Sequence, residues 1–217
     1  MRPFRFIITS KMLKYLLKLL KKQKNFFSNE DQMTNLVQIR IQHTPNPNAW
    51  KFVLDLPVLN EGKATFNSAN EAYGNRLATD LLAIDGVKQV HFFQNVITIT
   101  GRLDCEAEEL QRQAQSVIET RMPVHNPNWG VQDSKLEKRK ELPEDLQKIE
   151  EILDRTVRPG LQGDGGDIEI IKLEDNKLYI HYEGACGTCP SSTSGTLMAI
   201  EGILRDEIRP DLEVIPL

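Results

Sequence analysis

The stretch GDGGDIEIIKLEDNKLYIHYEGACGTCP, residues 163–190, decides how the C-terminal part of the chain folds. Its first glycines, within 163–166, permit a tight backbone turn. Two runs rich in apolar and β-branched side chains, 168–173 and 178–182, flank the polar segment 174–177. Such runs on either side of a short polar segment are typical of paired strands. The stretch therefore predicts a β-hairpin that is entered through a glycine-rich turn.

Two cysteines lie in the loop 184–190 that follows the second predicted strand. Cys186 and Cys189 are separated by two residues, so both sulfurs can face one metal centre, and Gly187 permits the backbone bend. Pro190 suits the first position of a helix, and we expect the positive end of that helix to favour thiolate at Cys189. Because thiolate is the form that binds metal, the pair is a candidate metal or redox site.

The sequence on both sides of this stretch predicts a small C-terminal domain, residues 143–217. Upstream, apolar residues at helical spacing predict a helix that ends at Arg158-Pro159-Gly160. Downstream, a second periodic run begins at Pro190 and stops before Pro210, and residues 212–217 can add a last strand. The expected order of elements is α-β-β-α-β.

A second folded unit is predicted over residues 36–122, joined to the first by a polar linker at 123–142. It combines predicted strands with two helices, one around residues 77–84 and one after Asp104 as N-cap. The predicted strands are 37–41, 50–54, 87–93 and 96–100. We therefore expect an α+β chain of two small domains, with a solvated linker that permits relative motion of the domains.

The N-terminal extension, residues 1–35, has a distinct charge. Residues 1–29 contain eight basic side chains and no acidic one, whereas the whole chain has a net charge of -4. This composition predicts a disordered or targeting segment, with Met33 as an alternative start. No apolar run reaches the roughly 18 to 20 residues that span a bilayer. We expect a cytoplasmic protein, with the mitochondrial matrix as the alternative, and no nucleic-acid partner.

The three cysteines, Cys105, Cys186 and Cys189, are too few for a disulfide framework and indicate a reducing compartment. A thioredoxin-like dithiol oxidoreductase is one interpretation of the pair, but only one predicted helix and one strand follow Cys189. A zinc site or an iron–sulfur cluster needs four ligands. A symmetric dimer whose CxxC loops meet would supply four cysteines, so a zinc-bridged dimer and a cluster-binding dimer both stay open.

Two regions resemble one family. Residues 160–167 and 184–192 resemble the C-terminal domain of NifU, and residues 44–48 with Lys51-Phe52 resemble the N-terminal domain of Nfu proteins. The resemblance covers residues 38–217 apart from the linker. It implies a non-enzymatic scaffold or carrier that transfers a 4Fe–4S cluster of iron and sulfide.

The resemblance also implies how the cluster is held. Cys186 and Cys189 are the implied ligands, in a homodimer joined through the cluster, and the implied partners are apo iron–sulfur client proteins and upstream cluster assembly proteins. Cys105 lies outside the motif, and we expect it on a helix surface. We interpret the segments 164–167 and 44–48 as structural turns rather than as surfaces for a partner.

Overall fold

The computed structural model describes residues 37–130, 142–188 and 195–217, the side chain of Thr188 excepted. The predicted extension 1–35 lies outside these ranges, as do most of the linker, Cys189 and Pro190. Expectations for those segments therefore stay predictions. Within the described ranges, no helix combines the length and hydropathy that crossing a membrane requires.

The N-terminal domain is a five-stranded sheet in the order β1-β2-β5-β4-β3, and every pair of neighbouring strands is antiparallel. The four predicted strands are confirmed to within two residues. The short edge strand β3 was not predicted, because its alternation of polar and apolar residues extends over only four residues. The strands are β1 Ile39–His43, β2 Ala49–Leu54, β3 Lys63–Phe66, β4 Val87–Phe93 and β5 Val96–Gly101.

Two helices cover the apolar face of this sheet. They are α1 Arg76–Leu82 and α2 Ala107–Arg121, and a 3₁₀ turn at Met122–Val124 follows. Asn75 caps α1, since its side chain accepts a hydrogen bond from the amide of Ala78. The expected N-cap Asp104 is wrong, because the N-cap of α2 is Glu106. The carboxylate of Asp104 instead pairs with Arg102, at 3.3 Å from Nε.

The C-terminal domain places helices against a three-stranded sheet in the order β6-β7-β8. Strands β6 and β7 form the predicted hairpin, and β8 runs parallel to β7. The elements are α3 Glu144–Thr156, α4 Arg158–Gly163, β6 Gly166–Glu174, β7 Lys177–Gly184, a 3₁₀ turn Ala185–Thr188, α5 Leu197–Glu207 and β8 Glu213–Pro216. The α+β class is confirmed. The added helix α4 was not predicted, because Pro159 was interpreted as the end of the preceding helix, whereas it lies in the first turn of α4.

The opposite face of the N-terminal sheet is polar, yet it is buried. Along β4 and β5, Gln89, His91, Thr98 and Thr100 alternate with core residues and are only 1–8% exposed. Residues of the C-terminal domain lie against them: the hydroxyl of Thr100 is 3.5 Å from the carbonyl oxygen of Gly184. Residues 37–217 therefore form one compact unit.

Candidate metal centre

Cys186 lies in the 3₁₀ turn that directly follows β7. Its position at the end of a strand agrees with the predicted loop, but it is only 6% exposed and belongs to the core of the C-terminal domain. The second predicted ligand, Cys189, lies outside the described residues. The described part of the chain contains no group of three or more His, Cys, Asp or Glu side chains that could hold a metal ion.

Cys186 packs against Gly166. A Cβ atom at Gly166 would overlap the Sγ of Cys186 and would lie 2.9 Å from its amide nitrogen. Gly165, with φ of +83°, forms the turn that leads into β6. The expected structural turn is therefore present, and it also leaves room for the sulfur. No local sequence pattern connects this turn with Cys186, and the fold brings the two together.

The backbone before Cys186 is held from both domains. The amide of Ala185 donates to the carbonyl oxygen of Gly165 at 3.1 Å. The side-chain amide of Asn46 donates to the carbonyl oxygen of Ala185 at 2.9 Å. Asn46 is itself oriented, because its Oδ1 accepts from the amide of Asn48 at 3.0 Å. The segment 44–48 is the structural loop that we expected. It additionally contacts the 3₁₀ turn Ala185–Thr188, which we call the cysteine turn.

A buried ionic cluster lies beside the cysteine turn. The ammonium group of Lys63 on β3 is 3.1 Å from Asp167, also pairs with Glu183, and donates to the carbonyl oxygen of Ile168 at 2.7 Å. The hydroxyl of Thr65 donates to Glu183 at 2.9 Å. Sequence reasoning missed this cluster. The residues that it joins across the two domains lie more than a hundred positions apart in the chain, and no local pattern links them.

Tyr182 is the other polar side chain in the core around Cys186. Its hydroxyl is buried and has no hydrogen-bond partner among the described residues. Burial, with a smaller contribution from Cys186, raises the pKa of Tyr182 to about 12. The phenol is therefore neutral at physiological pH.

Cys105 belongs to a different part of the fold. It precedes α2 and packs half-buried against the core of the N-terminal domain, so the expectation of a helix-surface position is wrong. Burial raises the pKa of its thiol. A Cβ atom at Gly101 would lie 2.7 Å from its Sγ. These contacts are those of a core side chain.

Both domains match known families. Residues 39–124 match the family described as scaffold protein Nfu/NifU N terminal, and residues 149–215 match the NifU-like domain. A solved NifU-like protein from Saccharomyces cerevisiae is 17% identical, with 42% of this chain and 82% of that chain covered. Its TM-score is 0.39, and at that score the likeness adds nothing to the assignment.

Relatives extend across both domains. NifU-like protein 4, mitochondrial, from Arabidopsis thaliana is 31% identical over 172 residues, which are 76% of this chain and 61% of the relative. The human NFU1 iron-sulfur cluster scaffold homolog, mitochondrial, is 31% identical over 184 residues, which are 81% of this chain and 69% of the relative. The chain thus spans about three fifths of the plant protein's length and somewhat more of the human one. Since both family models match and the human relative is 31% identical with 69% of its length covered, this chain belongs to the Nfu/NifU family.

Proposed function

We propose that this chain is an iron–sulfur cluster scaffold or carrier. Cys186 and Cys189, with the same pair from a second copy, hold a 4Fe–4S cluster that is passed on to apo client proteins. The observation that carries the proposal is the CxxC pair within the segment that matches the NifU-like domain, residues 149–215. The printed name of the human relative, an iron-sulfur cluster scaffold homolog, supports it.

The number of sulfur donors supports a shared site. One chain offers Cys186 and Cys189 in this loop, and a 4Fe–4S cluster held by cysteines takes four thiolates. A two-fold symmetric pair of loops supplies all four. A cluster with so few bonds to each chain suits a protein that must release it, so we propose a carrier and not an enzyme.

The surroundings of Cys186 fit this cargo. The sulfur sits at a strand end over glycine, and no side chain at Gly166 competes with it for space. Thiolates are the ligands that iron–sulfur clusters take. Only α5 and β8 follow the cysteine turn among the described residues, which is little for a thioredoxin-like oxidoreductase.

The location and partners follow from the same assignment. The plant and human relatives are named as mitochondrial, so we propose the mitochondrial matrix in preference to the cytoplasm. The basic extension 1–35 would then be a targeting segment. The proposed partners are a second copy, upstream cluster assembly proteins and apo iron–sulfur clients, with no nucleic acid among them.

Anaerobic reconstitution of the full chain with iron and sulfide tests the proposal. We expect a dimer with about four irons and four sulfides per two chains. Cys186→Ser and Cys189→Ser should lose the cluster, whereas the matched control Cys105→Ser should retain it. A variant in the CxxC pair that keeps its cluster would contradict the ligand assignment. Zinc without sulfide after anaerobic purification would favour the zinc-bridged dimer, and turnover of a disulfide substrate would favour the oxidoreductase.

A further inference from the structure

The polar face of the N-terminal sheet has the composition of a solvent-exposed surface. Gln89 and His91 on β4, with Thr98 and Thr100 on β5, alternate with apolar core residues. This alternation is typical of a sheet with one solvated face. All four side chains are nevertheless at most 8% exposed, because the C-terminal domain lies on them. The composition of this face therefore suits exposure to solvent as well as contact with the C-terminal domain.

The contacts across this polar face reach the residues that flank the cysteine. Thr100 and Asn46 bond the carbonyl oxygens of Gly184 and Ala185, the two residues before Cys186. In this arrangement Cys186 is 6% exposed. A thiolate that must meet the same group of a second copy needs open access. The N-terminal domain therefore holds the backbone that leads into the turn of Cys186, while the sulfur itself packs within the C-terminal domain.

Charge holds the two domains together. The side chain of Lys63 is 9% exposed, and it lies between the carboxylates of Asp167 and Glu183 on the other domain. The hydroxyl of Thr65 adds a hydrogen bond to Glu183. A buried ion pair is strongly weakened when one partner is removed, because the remaining charge is left without compensation. Water can solvate the same groups once the surfaces separate.

Two polar atoms oppose the contact. Gln89 Oε1 and Thr98 Oγ1 are buried on the same face without a hydrogen-bond partner in the described segments. Burying an acceptor without a partner costs free energy that hydration would restore. An interface between two domains that is largely polar is commonly reversible. The ion cluster stabilises the contact between the domains, and the unsatisfied acceptors destabilise it. With both contributions present, the contact can open.

We propose that the polar face of the N-terminal sheet is a docking surface for the chain's own cysteine turn, and that docking there excludes pairing of this turn with a second copy. The proposal rests on the proposed function and adds a means of regulation to it. In the docked state the N-terminal domain holds the backbone before Cys186, and Cys186 stays buried in the C-terminal domain. Separation of the domains exposes the cysteine turn and permits the shared cluster site to form.

The test uses the full metal-free chain and the variant Lys63→Met. Removal of the cation takes away the positive charge that the N-terminal domain places between Asp167 and Glu183, so the domains should separate. We expect alkylation of Cys186 by N-ethylmaleimide, followed by fragment-resolved mass spectrometry, to become about tenfold faster or more. The radius of gyration from small-angle X-ray scattering should rise. The control Lys172→Met removes an exposed lysine paired with Glu174 inside β6 and should change neither.

A second variant keeps the proposal falsifiable if Lys63→Met does not fold. Asn46→Asp retains the oxygen that accepts from Asn48 but replaces the donor to Ala185 with an acceptor. It should accelerate alkylation of Cys186 in the same direction. Equal alkylation rates in the wild type and in every folded variant would overturn the proposal.

The loaded protein tests the exclusion itself. Carbodiimide should join Lys63 to Glu183 in the metal-free chain, since the two groups are in direct contact. This cross-link should be lost in the cluster-loaded dimer, and equal cross-linking in both forms would overturn the exclusion. If no cluster loads while the alkylation results hold, the proposed function fails and docking stands. If a cluster loads but the alkylation rate never changes, the docking proposal fails and the proposed function stands.

Discussion

Gly166 lies directly opposite Gly184 in the antiparallel ladder of β6 and β7, and the sulfur of Cys186 packs against Gly166. The first glycine leaves space for the sulfur, and the second allows the backbone to turn from β7 into the cysteine turn. Each can be tested by a single added methyl group, with another glycine of the chain as control.

Gly166→Ala should destabilise the C-terminal domain. The new Cβ would overlap the sulfur of Cys186 and approach the carbonyl oxygen of Glu183 to 2.9 Å, and neither backbone segment can move freely. Overpacking of this kind costs roughly 1–3 kcal/mol, measurable by denaturant unfolding. Gly160→Ala in α4 has nothing within 4 Å of the added atom and should be neutral or slightly stabilising. Equal stability of the two variants would contradict the packing described for Cys186.

Gly184→Ala should be more destabilising than a change at a glycine with a similar backbone angle but open surroundings. Gly184 has φ of +61°, and an added Cβ would lie 2.5 Å from the carbonyl oxygen of Gly165. Gly62 has φ of +71° with nothing within 4 Å. Both variants incur the left-handed backbone penalty of about 1 kcal/mol, so the excess loss at Gly184 measures the clash. Thermal unfolding of both would reveal it, and no excess would mean that the turn can relax.

Arg158→Met should strongly destabilise the C-terminal domain. Arg158 is 4% exposed and pairs with Glu150 at 2.7 Å, with Asp154, and with Asp167 at 3.4 Å. Burial alone would lower the pKa of Arg158, but these carboxylates raise it overall, so the guanidinium stays charged. Its removal takes the guanidinium away from the largely buried Glu150 and leaves Lys63 as the cation beside Asp167. We expect a cost of roughly 3 kcal/mol in unfolding free energy.

A matched control is available one turn earlier. Arg155 pairs with Glu207, but its side chain is 58% exposed. Because exposed ion pairs contribute little, Arg155→Met should lose less than about 1 kcal/mol. A loss at Arg158 no larger than the loss at Arg155 would mean that the buried cluster does not stabilise the domain.

Tyr182→Phe should leave stability unchanged or raise it by about 1 kcal/mol. The variant removes a buried hydroxyl that has no hydrogen-bond partner among the described residues, and it retains the ring that packs in the core. Urea unfolding of the metal-free protein measures the difference. A clear loss of stability would show that the hydroxyl does have a hydrogen-bond partner.

Cys105 should react slowly with iodoacetamide in the folded protein. Burial raises the pKa of its thiol, so at a given pH the reactive thiolate fraction is smaller than in an exposed cysteine. The midpoint of its pH–rate profile should therefore lie above that of the same residue in guanidinium, where burial is lost. Coincident profiles would contradict the packing described at Gly101.

The sequence by itself determined the elements whose signals are local. Two strand-like runs on either side of a short turn located β4 and β5. The periodic apolar residues of α3 located a helix whose buried stripe includes Ile149 and Leu153. The spacing of Cys186 and Cys189 identified the candidate site, and the glycine turn before β6 was predicted as a structural turn. These signals are readable because strand and helix periods act over a few residues.

Tertiary structure alone decided what covers the polar sheet face and the cysteine turn. Thr98 and Thr100 are typical of a solvated face, and only the docked C-terminal domain buries them. Lys63 has no local feature that points to Glu183, on a strand 120 positions away. The physical reason is that such contacts depend on how two folded domains pack against each other. The spacing of residues along the chain carries no information about that packing.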